Sequence, residues 1–359
     1  MAKILVVGAG PVGLTCAIEL VRQQHDVTII EQNATREHIS KAIGINSRSL
    51  HLLEAAGITP RLIEAGVTLE KVHLHYAPEK ELSINFKALK DRYNFMLSLP
   101  QDKTEEILEH RLNELGVQVQ RNTHLKQLTQ TDDQVMGIIE TAGQTREIVV
   151  DFLVGCDGAH STVRKQIGQE FTGSTYPERW NLADVRMDWK YDAKEGHGFI
   201  NAPGLIGVVL PMGHDRYRLV ANHPNAFEML PQPYKVNEII WQSDFAISCR
   251  IVKQYNVGRV FLAGDAAHIH TPVGGRGMNL GLEDACVLAQ LLTNGNWKDY
   301  NKLRYSVGKK VVNMTTQFYN IFALKSPLAI KLRNCILFPL MRLPFIQKKQ
   351  IKEMVGLNT

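Results

Sequence analysis

The chain has 359 residues, of which 44% are hydrophobic and 21% charged, and its formal net charge is +5. This length exceeds one ordinary hydrophobic core, so we expect two packed domains, and the composition is typical of a globular enzyme rather than a disordered or fibrous protein. The small charge, without clustered basic faces, argues against a nucleic-acid-binding protein.

The N-terminal part of the chain alternates strands and helices. Residues 3–7 form an apolar run that predicts a strand buried on both faces, and this run is too short for a signal peptide. The pattern then predicts a helix over residues 11–24 and a β-branched strand over 26–31. Further helices are predicted over 47–56 and 102–115. Strands predicted at 117–119, 147–150 and 152–154 bring the chain back to the same sheet.

The middle of the chain has a different sequence pattern. Between residues 173 and 250, short alternating runs such as 205–210 and 217–220 are separated by Gly and Pro, which predicts an antiparallel sheet in a separate lobe. Residues 68–99 alternate in the same way and are assigned to that lobe. A buried strand is predicted at 258–263, a long helix from Gly277, and further helices from about 296 to the end.

No segment reaches the ~20 consecutive apolar residues of a transmembrane helix. The nearest candidate, residues 321–346, is interrupted by four cations and three prolines. We interpret it as packed helices, with weak contact to a membrane surface as the alternative. Five scattered cysteines without a C-x-x-C pair favour free thiols in a reducing compartment, and we expect a cytoplasmic protein.

The first motif lies between the first strand and the first helix. Residues 8–13 read Gly-Ala-Gly-Pro-Val-Gly and match G-x-G-x-x-G, in which Gly8 permits a tight turn, Gly10 admits a pyrophosphate and Gly13 permits close helix packing. The helix N-terminus offers N–H groups to the phosphates. Glu31 ends the second strand, where its carboxylate can accept ribose hydroxyls. The motif predicts a dinucleotide site without distinguishing NAD from FAD.

A later segment distinguishes the two dinucleotides. A buried strand ends in Gly264-Asp265, whose carboxylate can bind a polyol such as a ribityl chain, and residues 272–277 (Pro-Val-Gly-Gly-Arg-Gly) form a loop of little bulk on which a flat ring can lie. The following helix N-terminus and Arg276 would stabilise negative charge on the pyrimidine edge of a reduced flavin.

These segments resemble the FAD-dependent aromatic hydroxylases of the p-hydroxybenzoate hydroxylase type. The similarity rests on the first loop, on Gly-Asp-Ala-Ala-His followed by Pro-x-Gly-Gly-x-Gly-Met-Asn, and on residues 151–164, which contain an Asp157-Gly158 motif and Arg164. It extends over roughly residues 3–295. The resemblance implies a group A flavoprotein monooxygenase, in which NAD(P)H transiently reduces FAD and a flavin hydroperoxide hydroxylates an aromatic ring.

The resemblance also implies site residues. Those expected to bind FAD are Gly8, Gly10, Pro11, Val12, Gly13, Glu31, Gln32, Lys41, Ala42, Gln101, Asp157, Asp265, Pro272, Gly274, Gly277, Met278 and Asn279. Arg164 is expected to contact NAD(P)H or FAD, and Arg276 is the candidate catalytic cation at the flavin edge. Two positions depart from the family pattern: Lys41 replaces a common arginine, and Arg276 stands where relatives often have glutamine.

The expected fold class is α/β: a Rossmann-like FAD-binding domain interleaved with an antiparallel-sheet substrate domain and followed by C-terminal helices. We assign residues 1–70, 101–172 and 251–295 to the FAD-binding domain, 71–100 and 173–250 to the substrate domain, and 296–359 to the helical region.

The expected partners are a small aromatic substrate, O2 and NAD(P)H. No metal site is expected, since the His268/His270 pair belongs to the flavin motif and His73/His75 alternate along a strand. Two other functions remain open: an epoxidase or isoprenoid reductase of the same fold, and a non-catalytic flavin-dependent ligand-binding protein.

Overall fold

A computed structural model describes residues 1–36, 42–200 and 202–357 of the chain. The strands of this part are β1 (Lys3–Val7), β2 (Asp26–Ile30), β3 (Gly44–Ile45), β4 (Val67–Leu69), β5 (Lys71–Ala77), β6 (Lys80–Asn85), β7 (Met96–Ser98), β8 (Thr123–Gln130), β9 (Val135–Thr141), β10 (Gln144–Val150), β11 (Phe152–Gly155), β12 (Phe171–Trp189), β13 (Glu195–Phe199), β14 (Gly207–Pro211), β15 (Arg216–Ala221), β16 (Tyr234–Val252), β17 (Asn256–Val257), β18 (Val260–Leu262) and β19 (His268–Ile269).

The α-helices of the same part are α1 (Pro11–Arg22), α2 (Ser47–Glu54), α3 (Thr59–Ala65), α4 (Gln101–Glu114), α5 (Thr162–Gln166), α6 (Gly277–Thr293), α7 (Tyr300–Phe322), α8 (Pro327–Leu332), α9 (Phe338–Met341) and α10 (Pro344–Met354). A π-helical segment, Arg333–Leu337, joins α8 to α9.

The first sheet has the strand order β17-β18-β11-β1-β2. Strand β1 pairs in parallel with β2 and β11, and β11 pairs in parallel with β18. Four of the five β1 residues are buried, as the continuous apolar run predicts. Because the carboxyl ends of parallel strands meet at one edge, the first loop, the residues before Asp157 and the Gly264-Asp265 turn all leave the sheet on the same side. Ligands of α/β proteins bind at this edge.

The second large sheet has the order β19-β16-β12-β15-β14-β13-β5-β6. Its long strands β12 and β16 pair antiparallel over their whole length, from Phe171 opposite Val252 to Trp189 opposite Tyr234. Strand β5 joins through a parallel pairing with β13, so the alternating segments near residues 70–85 and 173–250 lie in one sheet. The α/β fold with a parallel and a mainly antiparallel sheet is therefore confirmed, whereas the exact domain boundaries stay predictions.

One strand prediction and one sheet assignment are wrong. Residues 117–119 form no strand, and only Gln120 makes an isolated bridge to Ile30. The 147–150 run belongs to β10, which pairs antiparallel with β9 in a separate three-stranded sheet of order β10-β9-β8 and does not return to the parallel sheet. The sequence pattern correctly identified residues 147–150 as a strand but could not name the partner strand, which is set by the β9–β10 turn at residues 142 and 143.

The C-terminal helices pack on the large sheet. Phe338 and Met341 join an apolar cluster with Tyr76 and Trp180 of the sheet and Tyr319 of α7. In the described residues, no helix is long and apolar enough to cross a membrane.

Candidate active site

The first glycine loop is shaped by contacts that exclude side chains. Gly8 has φ +102°, and a Cβ there would lie 2.5 Å from the Cys156 carbonyl oxygen. A Cβ on Gly13 would lie 1.9 Å from the Gly8 carbonyl oxygen, whereas a Cβ on Gly10 would meet nothing within 4 Å. Gly8 and Gly13 are therefore needed for packing, and Gly10 leaves its backbone open to a ligand.

The start of α1 connects this loop to the later flavin motif. Pro11 is the first helical residue, where its missing N–H costs nothing. A Cβ on Gly264 would lie 2.8 Å from Val12 Cγ2, and one on Gly281 would lie 2.5 Å from the same atom. Val12 thus packs directly against the turn that carries Asp265.

Glu31 follows β2 and faces the first loop. Its carboxylate accepts hydrogen bonds from the Ala9 N–H (2.8 Å) and the Asn33 N–H (2.9 Å). Its position at the carboxyl edge of the sheet is the one expected for a ribose-binding acid.

A cavity of about 410 Å³ opens in front of these groups. The residues that line it and were expected from the sequence are Gly8, Gly10, Glu31, Gln32, Gln101 and Asp157. Other lining residues that the sequence reasoning missed include Arg36, Glu105, Arg121 and Lys126, and Gly158 of the Asp157-Gly158 motif also lines the cavity. A Cβ on Gly158 would also meet nothing within 4 Å, so a second open backbone segment faces this space.

Gln101 connects the cavity to the loop that precedes β3. Its Oε1 accepts from the Ala42 N–H (3.1 Å), and its Nε2 donates to Glu105 Oε1 (2.9 Å). Burial raises the pKa of Glu105 to about 7, against the opposing hydrogen bond from Gln101. Lys41, which precedes Ala42, lies outside the described residues.

Asp157 mainly organises the turn into α5. It accepts hydrogen bonds from Ser161 Oγ (2.5 Å) and from the Thr162 and Val163 N–H groups (2.7 and 3.1 Å). Burial nevertheless raises the pKa of Asp157. Arg164 is buried, and it donates to the carbonyls of Ala266 (3.1 Å) and Ala159 (2.8 Å). These contacts tie the middle motif to the Gly264–Ala267 turn.

Asp265 is exposed, while every other residue from 260 to 268 is buried. The turn that presents it is held by a buried network centred on Asp284, which accepts from the Gly264 N–H (3.1 Å) and pairs with His268 Nε2 (2.6 Å) and Arg304 Nε (2.6 Å). Burial would raise the pKa of Asp284, but Arg304 and His268 outweigh it and lower the pKa. Asp284 and Arg304 are functional supports that the sequence reasoning missed. The signal was an acid pair, residues 283–284, in an otherwise apolar helix.

The second glycine loop presents bare backbone. Gly274 and Gly275 have φ +88° and +62°, and a Cβ on either would meet nothing within 4 Å. The Gly275 N–H donates to the Pro272 carbonyl (3.0 Å), and α6 begins at Gly277. Open space over two glycines at a helix N-terminus suits a flat, electron-accepting ring.

Asn279 holds this loop against the residues around α2. Its Nδ2 donates to the Gly44 (2.8 Å) and Gly275 (2.7 Å) carbonyls, and its Oδ1 accepts from the Asn46 N–H (2.9 Å) and Ser49 Oγ (2.7 Å). All four hydrogen-bonding positions are used within the protein. Asn279 therefore fixes the spacing of two loops. The neighbouring Met278 packs against the large hydrophobic core.

Arg276 is 1% exposed, and its Nε and Nη2 have no hydrogen-bond partner among the described residues. A Cβ on Gly356 would lie 2.3 Å from Arg276 Nη1 and 2.9 Å from the Arg48 Cβ, so the C-terminal segment closes over the guanidinium. Burial lowers the pKa of Arg276 against the opposing effect of Glu283. Burial also lowers the pKa of the adjacent His270 to about 4, so Arg276 is the cation at this position near neutral pH.

Arg218 lies on β15 of the large sheet and contacts the loop at Ala42. It is 0% exposed, forms two 2.7 Å hydrogen bonds to the Asp184 carboxylate, and donates from Nη1 to the Ala42 carbonyl (3.2 Å). The pairing of Arg218 with Asp184 depends on the register of β12 with β15, in which the two residues lie opposite each other.

The large sheet has two distinct faces. Strand alternation places Tyr217 and Phe199 in an apolar cluster with Trp189, whereas Val220 and Ile200 join the cluster that contains Val273 of the second glycine loop. The face of Val220 is therefore the one beside the second glycine loop, and Trp189, Phe199 and Tyr217 lie on the other face.

The donor set and open backbone fit FAD. Two stretches of glycine backbone face the cavity near Glu31. A second glycine loop with an adjacent cation precedes α6, which packs on α1, and Asp265 is exposed. Within the described residues, no group of three or more His, Cys, Asp or Glu side chains could hold a metal ion.

Comparisons with known proteins agree with this assignment. A family model described as "FAD binding domain" matches residues 1–228 and 223–299. The 6-methylpretetramide 4-monooxygenase of Streptomyces rimosus is 31% identical over 353 residues, covering 91% of this chain and 63% of the relative. A rifampicin monooxygenase of Streptomyces venezuelae is 30% identical and covers 88% of this chain and 70% of the relative.

Among solved structures, the anhydrotetracycline hydroxylase from Streptomyces rimosus superposes with a TM-score of 0.82 and 25% identity, covering 100% of this chain and 76% of that one. The chain spans about three fifths of the length of the first curated relatives it matches. The extent of the family match, together with the geometry of the three loops, shows that the chain belongs to the FAD binding domain family and is a flavoprotein of the p-hydroxybenzoate hydroxylase type.

Proposed function

We propose that the protein is an NAD(P)H- and O2-dependent FAD monooxygenase that hydroxylates an aromatic or polycyclic small molecule. The observation that carries this proposal is the open glycine backbone at residues 274 and 275, at the start of α6 and next to the buried Arg276. The relatives named for tetracycline-type and rifamycin-type compounds support the substrate class.

Bound FAD supplies two-electron chemistry and the activation of O2. In our proposal the ADP half is bound by Gly8, Gly10, Pro11, Val12, Gly13, Glu31, Gln32, Lys41, Ala42, Gln101 and Asp157. The ribityl chain and ring are bound by Asp265, Pro272, Gly274, Gly277, Met278 and Asn279.

The residues around the ring would act mainly through charge and position. The N–H groups at the start of α6 and the Arg276 guanidinium would stabilise negative charge on the pyrimidine edge of the ring. Since Arg276 has no carboxylate within 4.0 Å in the described part of the chain, little of its charge is neutralised locally. Asn279 and Arg218 would keep the flanking loops at a fixed spacing around the ring.

The reductant and location belong to the same proposal. We propose that the nicotinamide of NAD(P)H binds transiently in the shared cleft, with Arg164 holding the turn beside it through the Ala266 carbonyl. A cytoplasmic enzyme has direct access to NAD(P)H.

The test is anaerobic stopped-flow reduction of the FAD-loaded protein by NADH or NADPH across a panel of phenols and polycyclic aromatics. We expect flavin reduction to accelerate strongly with at least one compound, and the same compound to stimulate O2 consumption in air. Rapid reduction without O2 consumption would instead indicate a reductase. Slow reduction despite tight ligand binding would indicate a ligand-binding protein.

A further inference from the structure

The C-terminal helices carry most of the exposed apolar surface of the protein. Of the eleven large hydrophobic residues exposed in the described part of the chain, six fall between residues 328 and 345: Leu328, Leu332, Ile336, Leu340, Leu343 and Phe345. Four of them recur every fourth residue and lie on one side of the continuous helical segment from α8 to α9. Clustered exposure of this kind marks an interaction surface rather than scattered surface apolar residues. We call these six residues the apolar stripe.

The helices that carry the stripe are firmly packed on their other side. Phe338 is fully buried, and Met341 lies in the same apolar cluster. The guanidinium of Arg333 is buried and donates to the carbonyls of Ile321 and Phe322. The stripe is therefore the outer face of an ordered element.

The charge of this region is one-sided. Residues 300–352 contain eleven Lys or Arg and neither Asp nor Glu. Since the whole chain has a net charge of only +5, the remainder of the chain is net acidic. Arg304 and Arg333 are buried and Lys325 pairs with Glu178, but the other cations still leave an excess of positive charge in this region, which favours a partner with negative charge.

Cations accompany the apolar stripe on the exposed faces. Lys331 is exposed next to Leu332, and Lys348 and Lys349 are exposed three and four residues after Phe345, on the same side of α10. Within the described ranges, no carboxylate lies within 4.0 Å of these three ammonium groups, whereas Lys325 pairs with Glu178.

We propose that the apolar stripe and its lysines bind the surface of an anionic lipid bilayer, with α8 to α10 lying in the plane of the interface. Apolar side chains and lysines on a shared face are the combination that interfacial helices use, and anionic headgroups attract such lysines. A second copy of the chain is a poorer partner. A two-fold contact on this face would bring lysines against lysines, and Glu353 is the only acidic residue among residues 327–354. The proposal does not depend on the catalytic function.

The test is flotation of the FAD-loaded protein with two kinds of vesicle: phosphatidylcholine alone, and phosphatidylcholine with one third phosphatidylserine. We expect partitioning into the anionic vesicles that weakens at high salt, and little binding to neutral ones. Leu332→Ser/Ile336→Ser and Lys348→Gln/Lys349→Gln should each reduce the partition coefficient about tenfold.

Matched controls change equally exposed residues elsewhere. Ile239→Ser/Ile240→Ser and Lys253→Gln/Lys298→Gln should bind the vesicles as the unmodified protein does. Retained FAD in every variant shows that the fold is intact. The proposal is overturned if anionic vesicles bind no protein, if neutral vesicles bind as well as anionic ones, or if the stripe variants bind normally. It is also overturned if sedimentation shows a dimer that the stripe substitutions dissociate.

Discussion

Removal of the Arg218 guanidinium should lower the stability of the protein and should also remove the hydrogen bond that positions the loop at Ala42. Asp184 is 6% exposed, and its carboxylate receives two 2.7 Å hydrogen bonds from Arg218. Arg218→Met would leave this carboxylate buried with its charge uncompensated, which typically costs about 3–5 kcal/mol. Urea unfolding followed by circular dichroism measures this loss.

A double variant separates stability from positioning. In Arg218→Met/Asp184→Leu the buried pair is replaced by apolar groups, so most of the unfolding free energy should return, to within about 1–2 kcal/mol of the original. The donor to the Ala42 carbonyl is still missing in this variant. One hydrogen bond from a charged group contributes about 1.5–3 kcal/mol, so the dissociation constant for FAD should rise about tenfold or more. Flavin fluorescence titration measures it.

Arg186 on the same sheet provides the control. It pairs with Asp215 and Glu238 at the surface, where its side chain is 42% exposed, so Arg186→Met should cost less than about 1 kcal/mol and leave FAD binding unchanged. If the double variant binds FAD as tightly as the original protein, Arg218 does not position the loop at Ala42. If Arg218→Met unfolds no more easily than Arg186→Met, the buried pair with Asp184 does not stabilise the fold.

Three further predictions concern the cofactor. Asp265→Ala should yield protein with little or no bound FAD, measured as flavin absorbance per chain, and full occupancy would contradict the role of this exposed carboxylate. Arg276→Ala should retain FAD but lower the two-electron reduction potential of the flavin by about 30 mV or more, equivalent to about 1.4 kcal/mol. Arg276→Lys, which keeps the charge, should shift the potential less. An unchanged potential in Arg276→Ala would show that the guanidinium charge does not stabilise the reduced flavin. Burial raises the pKa of Glu105 from 4.5 to about 7, so the folded state favours the protonated acid. The stability that this preference for the protonated acid contributes is lost as pH rises through about 7. FAD affinity should therefore fall between about pH 6 and about pH 8 as a carboxylate forms near the diphosphate, and Glu105→Gln should give a flatter profile; equal slopes for both proteins would contradict this.

The parts of the fold that could be predicted are those that depend on local pattern. The first strand, the glycine loop and the helix α6 were recognisable because burial on both faces, tight turns and helical spacing leave marks within a few residues. Residues 117–119 were wrongly predicted as a strand because so short an apolar alternation does not by itself provide a partner strand. Residues 147–150 were assigned to the wrong sheet because the pattern does not show that the β9–β10 turn pairs them with β9.

The same distinction applies to the site. The structural role of glycines whose neighbours exclude a Cβ, such as Gly8 and Gly13, can be predicted from the sequence motif alone. Asp184, Asp284 and Arg304 could not be assigned, since their function comes from partners that are 16 to 34 residues distant along the chain. The closure of Gly356 over Arg276 depends on the path of the whole C-terminal region.

The central claim is that the protein inserts one oxygen atom of O2 into an aromatic substrate. Turnover of the most stimulating panel compound under ¹⁸O2, with NADPH or NADH and mass spectrometry of the product, tests it directly. We predict a product that carries one ¹⁸O atom, formed in proportion to the NAD(P)H consumed. A product without label from O2, or a reduced product formed without O2, would contradict the account.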